Sequence, residues 1–334
     1  MFLKFFGLRE QPFGVTPDPR FLYLSPGHRE ALASVYYGIE AGRGFMALIA
    51  KPGMGKTTLL FHLLEKFRYN ARTAFLFQTQ CSSRELMRLL LAELGVGMES
   101  HGQDFVSMHE EFNRLLLQEA RAKKRFIVVI DEAQNLDASV METVRLLSDF
   151  ETPRAKLLQI ILSGQPELAD KLASPRLAQL RQRVSLLSRL TPLSADETGK
   201  YIEYRLNVAG HSGPLPFSEE ALQAIARFSE GIPRNINNLC FNLLSLSFAL
   251  RQRVVDMNVL DEVMNDLDIS QHMSEVAPLP LTEPASLHMA EGNASSSYDT
   301  PYIAGADVRE TLTLSEAKAY MQQLAVQFRN WKRN

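Results

Sequence analysis

Phe45 to Ile49 is an unbroken apolar run that leads straight into Ala50-Lys-Pro-Gly-Met-Gly-Lys-Thr-Thr58. A short continuous apolar run closed by glycine reads as a buried strand. The glycine-rich turn ending in Lys-Thr then reads as a phosphate cradle at the start of a helix. Gly53 and Gly55 let the backbone aim its N–H groups at a polyphosphate, Lys56 adds a point charge for the β- and γ-phosphates, and the Thr57 hydroxyl is a Mg²⁺ ligand. The whole stretch Ala50, Lys51, Pro52, Gly53, Met54, Gly55, Lys56, Thr57 and Thr58 is therefore expected to bind ATP or GTP. Ala50 stands where the P-loop pattern has glycine, a small change in side-chain volume. A glycine-rich connector without a ligand is the competing reading, and the rest of the chain decides against it.

Phe126 to Ile130 is a second apolar strand, and it ends in Asp131-Glu132. An Asp at the tip of a central parallel strand beside a P-loop holds Mg²⁺, and a following carboxylate polarises the attacking water. Asp131 takes the metal role and Glu132 the role of general base. Adjacent carboxylates after a strand also suit an ordinary helix start, where they favour the dipole. Between Lys56 and Asp131 there is room for one further strand and two helices, as a nucleotide-binding α/β sheet needs.

A hydrophobic content of 46% supports a sizeable core, and a formal charge of −2 gives no global bias toward nucleic acid or a membrane surface. Cys81 and Cys240 stand far apart and the histidines are scattered, so no metal is expected beyond nucleotide-bound Mg²⁺. Arg9, Glu10 and Pro12 cut short the apolar opening before a signal-peptide core forms. Leu239 to Leu250, the most apolar helical stretch, is far short of a bilayer span. A soluble, cytoplasmic protein is expected.

From Phe45 onward the pattern alternates strands and amphipathic helices: Phe45 to Ile49, Lys56 to Phe67, Thr73 to Phe77, Ser83 to Leu94, Met108 to Ala122, Phe126 to Ile130, Val140 to Asp149 and Leu157 to Leu162. That alternation predicts α/β with a parallel sheet finishing near Pro192. Every later periodic segment is helical: Ala195 to Val208, Glu219 to Ser229, Pro233 to Leu250 and Met257 to Leu267. Capping boxes at Ser82/Glu85 and Ser194/Glu197 mark two of the helix starts. The expected organisation is an N-terminal segment over 1–40, an α/β nucleotide-binding domain over 41–193, a helical domain over 194–270, a Pro/Ser-rich linker over 271–312 and an amphipathic helix over 313–334. In that last helix Leu314, Ala317, Met321, Leu324, Phe328 and Trp331 form a short heptad seam, suited to a partner helix or to docking on its own chain.

Ser163 and Gln165 end the fourth strand two positions apart, the spacing of one sheet face. Gln165 is the first candidate for contact with the γ-phosphate or the lytic water, because an amide both donates and accepts; Ser163 is the second. In Gly231-Ile-Pro-Arg-Asn, Pro233 opens a helix and Arg234 falls in its first turn, where a cation opposes the dipole. A bound phosphate would resolve that conflict. Lys171 to Ala195 contains Arg176, Arg181, Arg183 and Arg189 but no Asp or Glu. Arg181 or Arg183 is a candidate finger acting on a neighbouring subunit, with a solvated face or nucleic-acid contact as the alternatives.

Taken in order, these elements resemble an AAA+ ATPase. More closely, Phe6-Gly-Leu-Arg-Glu-Gln-Pro-Phe13, Thr16-Pro-Asp-Pro-Arg-Phe-Leu-Tyr23, His28-Arg-Glu-Ala-Leu32, Asp131-Glu-Ala-Gln-Asn-Leu136, Gly164-Gln-Pro-Glu-Leu168 and Gly231-Ile-Pro-Arg-Asn235 resemble the general secretion pathway protein A group. The resemblance implies a P-loop NTPase parallel sheet sandwiched by helices, a small all-α lid, ATP and Mg²⁺ as ligands, and self-assembly. It also implies coupling of hydrolysis to secretion, pilus or polysaccharide systems at the cell envelope. Pro12, Phe13 and Tyr23 are implied adenine contacts, with core packing as the alternative. Group members continue into a membrane span and a peptidoglycan-binding domain; this tail departs from them, so a separate membrane partner is expected. ATPases assisting transposition share the same core and are the second reading. A scaffold that has lost catalysis is disfavoured by the presence of Lys56, Thr57, Asp131 and Glu132.

Overall fold

The computed structural model describes residues 2–77, 79–96, 104–152 and 155–274; residues 275–312 of the expected linker and the expected helix over 313–334 lie outside them. Five parallel strands form one sheet: β1 (Phe45–Ile49), β2 (Ala71–Leu76), β3 (Arg125–Ile130), β4 (Gln159–Gly164) and β5 (Val184–Arg189), in spatial order β2-β3-β4-β1-β5. In chain order the helices up to the last strand are α1 (Phe2–Phe5), α2 (Pro26–Glu40), α3 (Lys56–Lys66), α4 (Ser83–Glu93), α5 (Phe105–Arg121), α6 (Ala138–Leu147), α7 (Pro166–Ala173) and α8 (Ala178–Arg183). The later helices are α9 (Ala195–Val208), α10 (Glu219–Phe228), α11 (Pro233–Ala249) and α12 (Met257–Ser274).

The unbroken apolar runs have a direct cause. β1 and β4 are buried along their whole length, because helices cover both faces of the sheet. Alternate residues of β1 enter opposite cores: Phe45, Ala47 and Ile49 pack with Leu90 of α4, Phe112 of α5 and Val144 of α6, whereas Met46 and Leu48 pack with Val35 of α2 and Leu60 of α3. A third core joins Ile202, Ile225, Leu243 and Leu260 of the later helices to Phe6, Leu8, Phe13 and Phe21, so the N-terminal segment is built into the helical part.

Two expectations are corrected. A fifth strand, β5, pairs with β1 inside the stretch read only as cationic. It lies at the sheet edge with one covered face, so its Val-Ser-Leu-Leu-Ser-Arg alternates with solvent and lacks the continuous apolar signature of its neighbours. The fourth strand ends at Gly164, and Gln165 is the residue that precedes α7, because Pro166 at the first helical position starts a helix there. α2 and α7 join the helices anticipated from periodicity. Among the described residues no helix is long and apolar enough to cross a membrane.

Parallel pairing puts the carboxyl ends of β1, β3 and β4 at one edge: Ile49 faces Gly164, and Ile130 faces Leu162. The segments leaving those three strands therefore meet where open α/β sheets bind ligands.

Candidate functional site

A cleft of about 350 Å³ opens at this edge, bounded by the turn after β1, the end of β3, residues Gly14 to Tyr23, and helices α9 and α11. The turn between β1 and α3 has left-handed backbone at Gly53 (φ +77°) and at Gly55 (φ +85°). A side chain at Gly53 would also meet Arg234, its Cβ 2.7 Å from the Arg234 Cβ. Pro52, Gly53, Met54, Gly55, Lys56, Thr57 and Thr58 line the cleft. Ala50 is buried and its carbonyl accepts from Lys56 Nζ at 3.3 Å. Lys51 lies outside, in an exposed ion pair with Glu230 at 3.8 Å.

His28 lies beside the turn. Its Nε2 is 3.0 Å from the Met54 carbonyl and its Nδ1 is 2.8 Å from Ser25 Oγ. Burial holds the imidazole below its ordinary pKa of 6.5, opposed by the bond to Met54 and by Glu197. A neutral ring here donates from Nε2 to the carbonyl and accepts the Ser25 hydroxyl at Nδ1.

Asp131 is 3% exposed and collects two hydroxyl donors, Thr57 Oγ1 at 2.6 Å on Oδ2 and Ser163 Oγ at 2.7 Å on Oδ1. Burial pushes its carboxyl up from the ordinary range, while the two hydroxyls pull it down. The donor set fits Mg²⁺: a buried carboxylate and a hydroxyl at a helix start are hard oxygen ligands, and this ion keeps several waters. Ser163 is fully buried on Asp131. Gln165 does line the cleft.

Glu132 has left-handed backbone, φ +51° and ψ +38°, an unfavourable state for a residue with a side chain. Its Oε2 accepts from Gln165 Nε2 at 3.0 Å and from Gln134 Nε2 at 2.6 Å, and its Oε1 is 3.9 Å from Lys56 Nζ.

The helical part closes the cleft. The Arg234 backbone N–H donates to the Gly53 carbonyl at 3.1 Å, and the exposed Arg234 side chain lines the opening. At the far end Tyr201 Oη donates to Asn237 Oδ1 at 2.8 Å, and Arg205 bonds Tyr201 Oη at 2.9 Å and the Pro12 carbonyl. The Arg205 guanidinium also stacks 4.9 Å from the Phe21 ring centroid. Of the implied adenine contacts, Tyr23 lines the cleft, Phe13 is buried in the third core, and Pro12 supplies its carbonyl to Arg205.

Arg181 and Arg183 lie on α8, away from the cleft. Arg181 donates to the Ala173 carbonyl at 2.9 Å; Arg183 pairs with Asp149 and donates to Ser148 Oγ at 2.9 Å.

Residues 39–172 match the family described as an AAA domain. The chain has the fold of an AAA+ P-loop NTPase. Over 254 residues, 75% of its length, the chain is 39% identical to the General secretion pathway protein A of Aeromonas hydrophila, and it spans 45% of that relative. Its fold is similar to that of the Aeropyrum pernix ORC2 protein (TM-score 0.59, 14% identity, 76% of this chain and 70% of that one). It is also similar to the Drosophila ORC bound to DNA (TM-score 0.58, 17% identity, 80% of this chain and 67% of that one).

Sequence reasoning assigned no site role to His28, Gln134, Tyr201, Arg205 or Asn237. His28 and Gln134 were visible only inside stretches carrying the family resemblance. Tyr201 and Arg205 sit four apart on α9, a spacing that places both on one helix face, and that was the available signal.

Proposed function

We propose that this AAA+ chain is a Mg²⁺-dependent ATPase whose turnover drives assembly or export at the cell envelope. The observation that carries the catalytic half is the convergence of Lys56, Thr57, Asp131, Glu132 and Arg234 from three chain segments on one cleft. Backbone N–H groups at the start of α3 and the Lys56 ammonium bind the phosphates. Thr57 and Asp131 would hold Mg²⁺, which would supply positive charge to offset that of the β- and γ-phosphates. Glu132 accepts a proton from the attacking water as the water oxygen bonds to the γ-phosphorus. The bond from that phosphorus to the bridging oxygen breaks, leaving ADP and phosphate. In this reading Gln165, bonded to Glu132, contacts the water or the γ-phosphate, and Arg234 carries charge from the lid.

The envelope half rests on likeness to the secretion-pathway relative. A cytoplasmic chain that self-assembles and reaches the inner membrane through an envelope partner, recruited by residues 313–334, fits that likeness. Arg181 is the better finger for a neighbouring subunit, because Arg183 is already paired with Asp149. That pairing also reduces the cationic character on which a DNA-associated, transposition-assisting reading depends.

Phosphate release from Mg²⁺-ATP by the purified chain tests the catalytic half. Glu132→Gln is expected to keep ATP binding and lower turnover by about 10²-fold, the scale of a lost general base. Lys56→Ala is expected to lose tight binding of a fluorescent ATP analogue. Turnover indifferent to both substitutions would overturn the reading.

A further inference from the structure

In the nucleotide cleft, Glu132 is held by a residue to which no role has been assigned. Gln134 lies two positions on, in the single 3₁₀ turn Ala133–Asn135. The left-handed backbone at Glu132 folds this turn back, so that Gln134 Nε2 reaches Glu132 Oε2 at 2.6 Å. The other end of the same amide is also occupied: Gln134 Oε1 accepts the backbone N–H of Gln165 at 3.1 Å. These two bonds fix the orientation of the amide, since turning it over would face N–H against N–H and carbonyl against carboxylate.

The slot is shaped for this side chain. Gln134 Oε1 lies so close to Gly164 that a Cβ there would come within 2.7 Å of it. The turn itself is pinned from two sides. Lys171 of α7 donates to the Gln134 carbonyl and to the Leu136 carbonyl, the latter at 2.7 Å, and Thr79 Oγ1 donates to the Glu132 carbonyl at 3.0 Å.

We infer that Gln134 is a positioning residue for hydrolysis, clamping Glu132 Oε2 so that Oε1 is presented to the phosphate side of the cleft. The inference rests on the ATPase reading above. The Glu132 carboxylate has three side-chain partners, and two of them have competing duties: Lys56 with the phosphates and Gln165 with the water or γ-phosphate. Gln134 is different, because its far end is held by main chain that is itself the start of α7. It therefore stays on Glu132 when the other two turn to the nucleotide. A carboxylate held at one oxygen keeps its second oxygen aimed, and small errors in aim cost large factors in rate.

The test uses the full chain, with Gln134→Ala and Gln134→Glu made alone and in the Glu132→Gln background. Phosphate release is measured under multiple- and single-turnover conditions. Gln134→Glu keeps the acceptor for the Gln165 N–H and replaces only the donor to Glu132, so it serves if the alanine variant fails to fold. The expected result is a fall in kcat of about 10-fold or more with KM within about 2-fold, the pattern of an interaction used in the transition state. In the Glu132→Gln background either change is expected to add less than about 2-fold, because a residue acting through another loses its effect when that partner is gone. A purely structural role would lower the rate by the same factor in both backgrounds, and that result overturns the inference. So does normal kcat in Gln134→Glu, or a loss confined to KM, while Glu132→Gln remains inactive. Turnover that ignores Glu132 altogether would instead overturn the ATPase reading and take this inference with it.

Discussion

The backbone N–H of Arg234 donates to the carbonyl of Gly53, 3.1 Å away, so helix α11 is bonded directly to the glycine turn after β1. The contact uses main chain on both sides, and its side-chain geometry admits only glycine at residue 53.

Removing the Arg234 side chain and crowding Gly53 should therefore separate. Arg234→Ala keeps the backbone bond and is expected to lower turnover about 10-fold, the loss of a charged transition-state contact, with little change in thermal stability. Gly53→Ala forces a left-handed residue with a Cβ, a cost of about 1–2 kcal/mol before the clash with Arg234. That variant is expected to lose ATP affinity and to loosen the lid. Nucleotide titration together with limited proteolysis around α11 checks both.

As the proposed Mg²⁺ ligand, Asp131 is expected to favour the ligated protein at the expense of the free one. Its burial disfavours the ionised carboxyl, so an isosteric amide removes a buried charge that two hydroxyls only partly offset. Asp131→Asn is expected to match or exceed the wild type in melting temperature without Mg²⁺, and to lose the stabilisation that Mg²⁺-ATP gives the wild type. A melting temperature several degrees below wild type in metal-free buffer would contradict this account.

Arg181 should act only on a neighbour's site. Arg181→Ala and Glu132→Gln are each expected to be nearly inactive alone, yet to regain turnover when mixed. In the mixture an intact cleft from the first variant meets an intact arginine from the second, a complementation that trans fingers permit. Mixtures no more active than the sum of their parts would remove Arg181 from catalysis.

His28 is expected to make the protein sensitive to acid. Its folded pKa is depressed from 6.5 by burial, so below that pH the unfolded chain binds more protons than the folded one. Stability from keeping the ring neutral is present above pH 6.5 and is lost as pH falls through the folded pKa. His62 and His109 are depressed too, also by burial, so the wild type must be compared with His28→Asn. The variant is expected to show a shallower loss of melting temperature between neutral and acid pH. Its ATP affinity at neutral pH is expected to be weaker, because the bond to the Met54 carbonyl is gone.

The glycine turn after β1 and the Asp131-Glu132 pair at the end of β3 were legible in the chain itself because each is a local device. A buried strand demands a continuous apolar run, a phosphate turn demands glycine at left-handed positions, and both signals fall within a dozen or so neighbouring residues. The parallel sheet was legible for the same reason, except at β5, where an edge strand with one covered face loses the apolar run that marks its neighbours. Other relationships belong to the tertiary structure alone. His28 reaches Met54 only because α2 packs beside the phosphate turn, and Arg205 reaches Pro12 only because the N-terminal segment is buried in the helical core. Gln134 meets Gly164 only because β3 and β4 pair with Ile130 beside Leu162, which brings the turn after β3 alongside the last residues of β4. Hydrogen bonds between distant segments leave no periodicity in the chain: a polar side chain that will be buried and partnered has the same letter as one in solvent, and only the packing around it decides which it becomes.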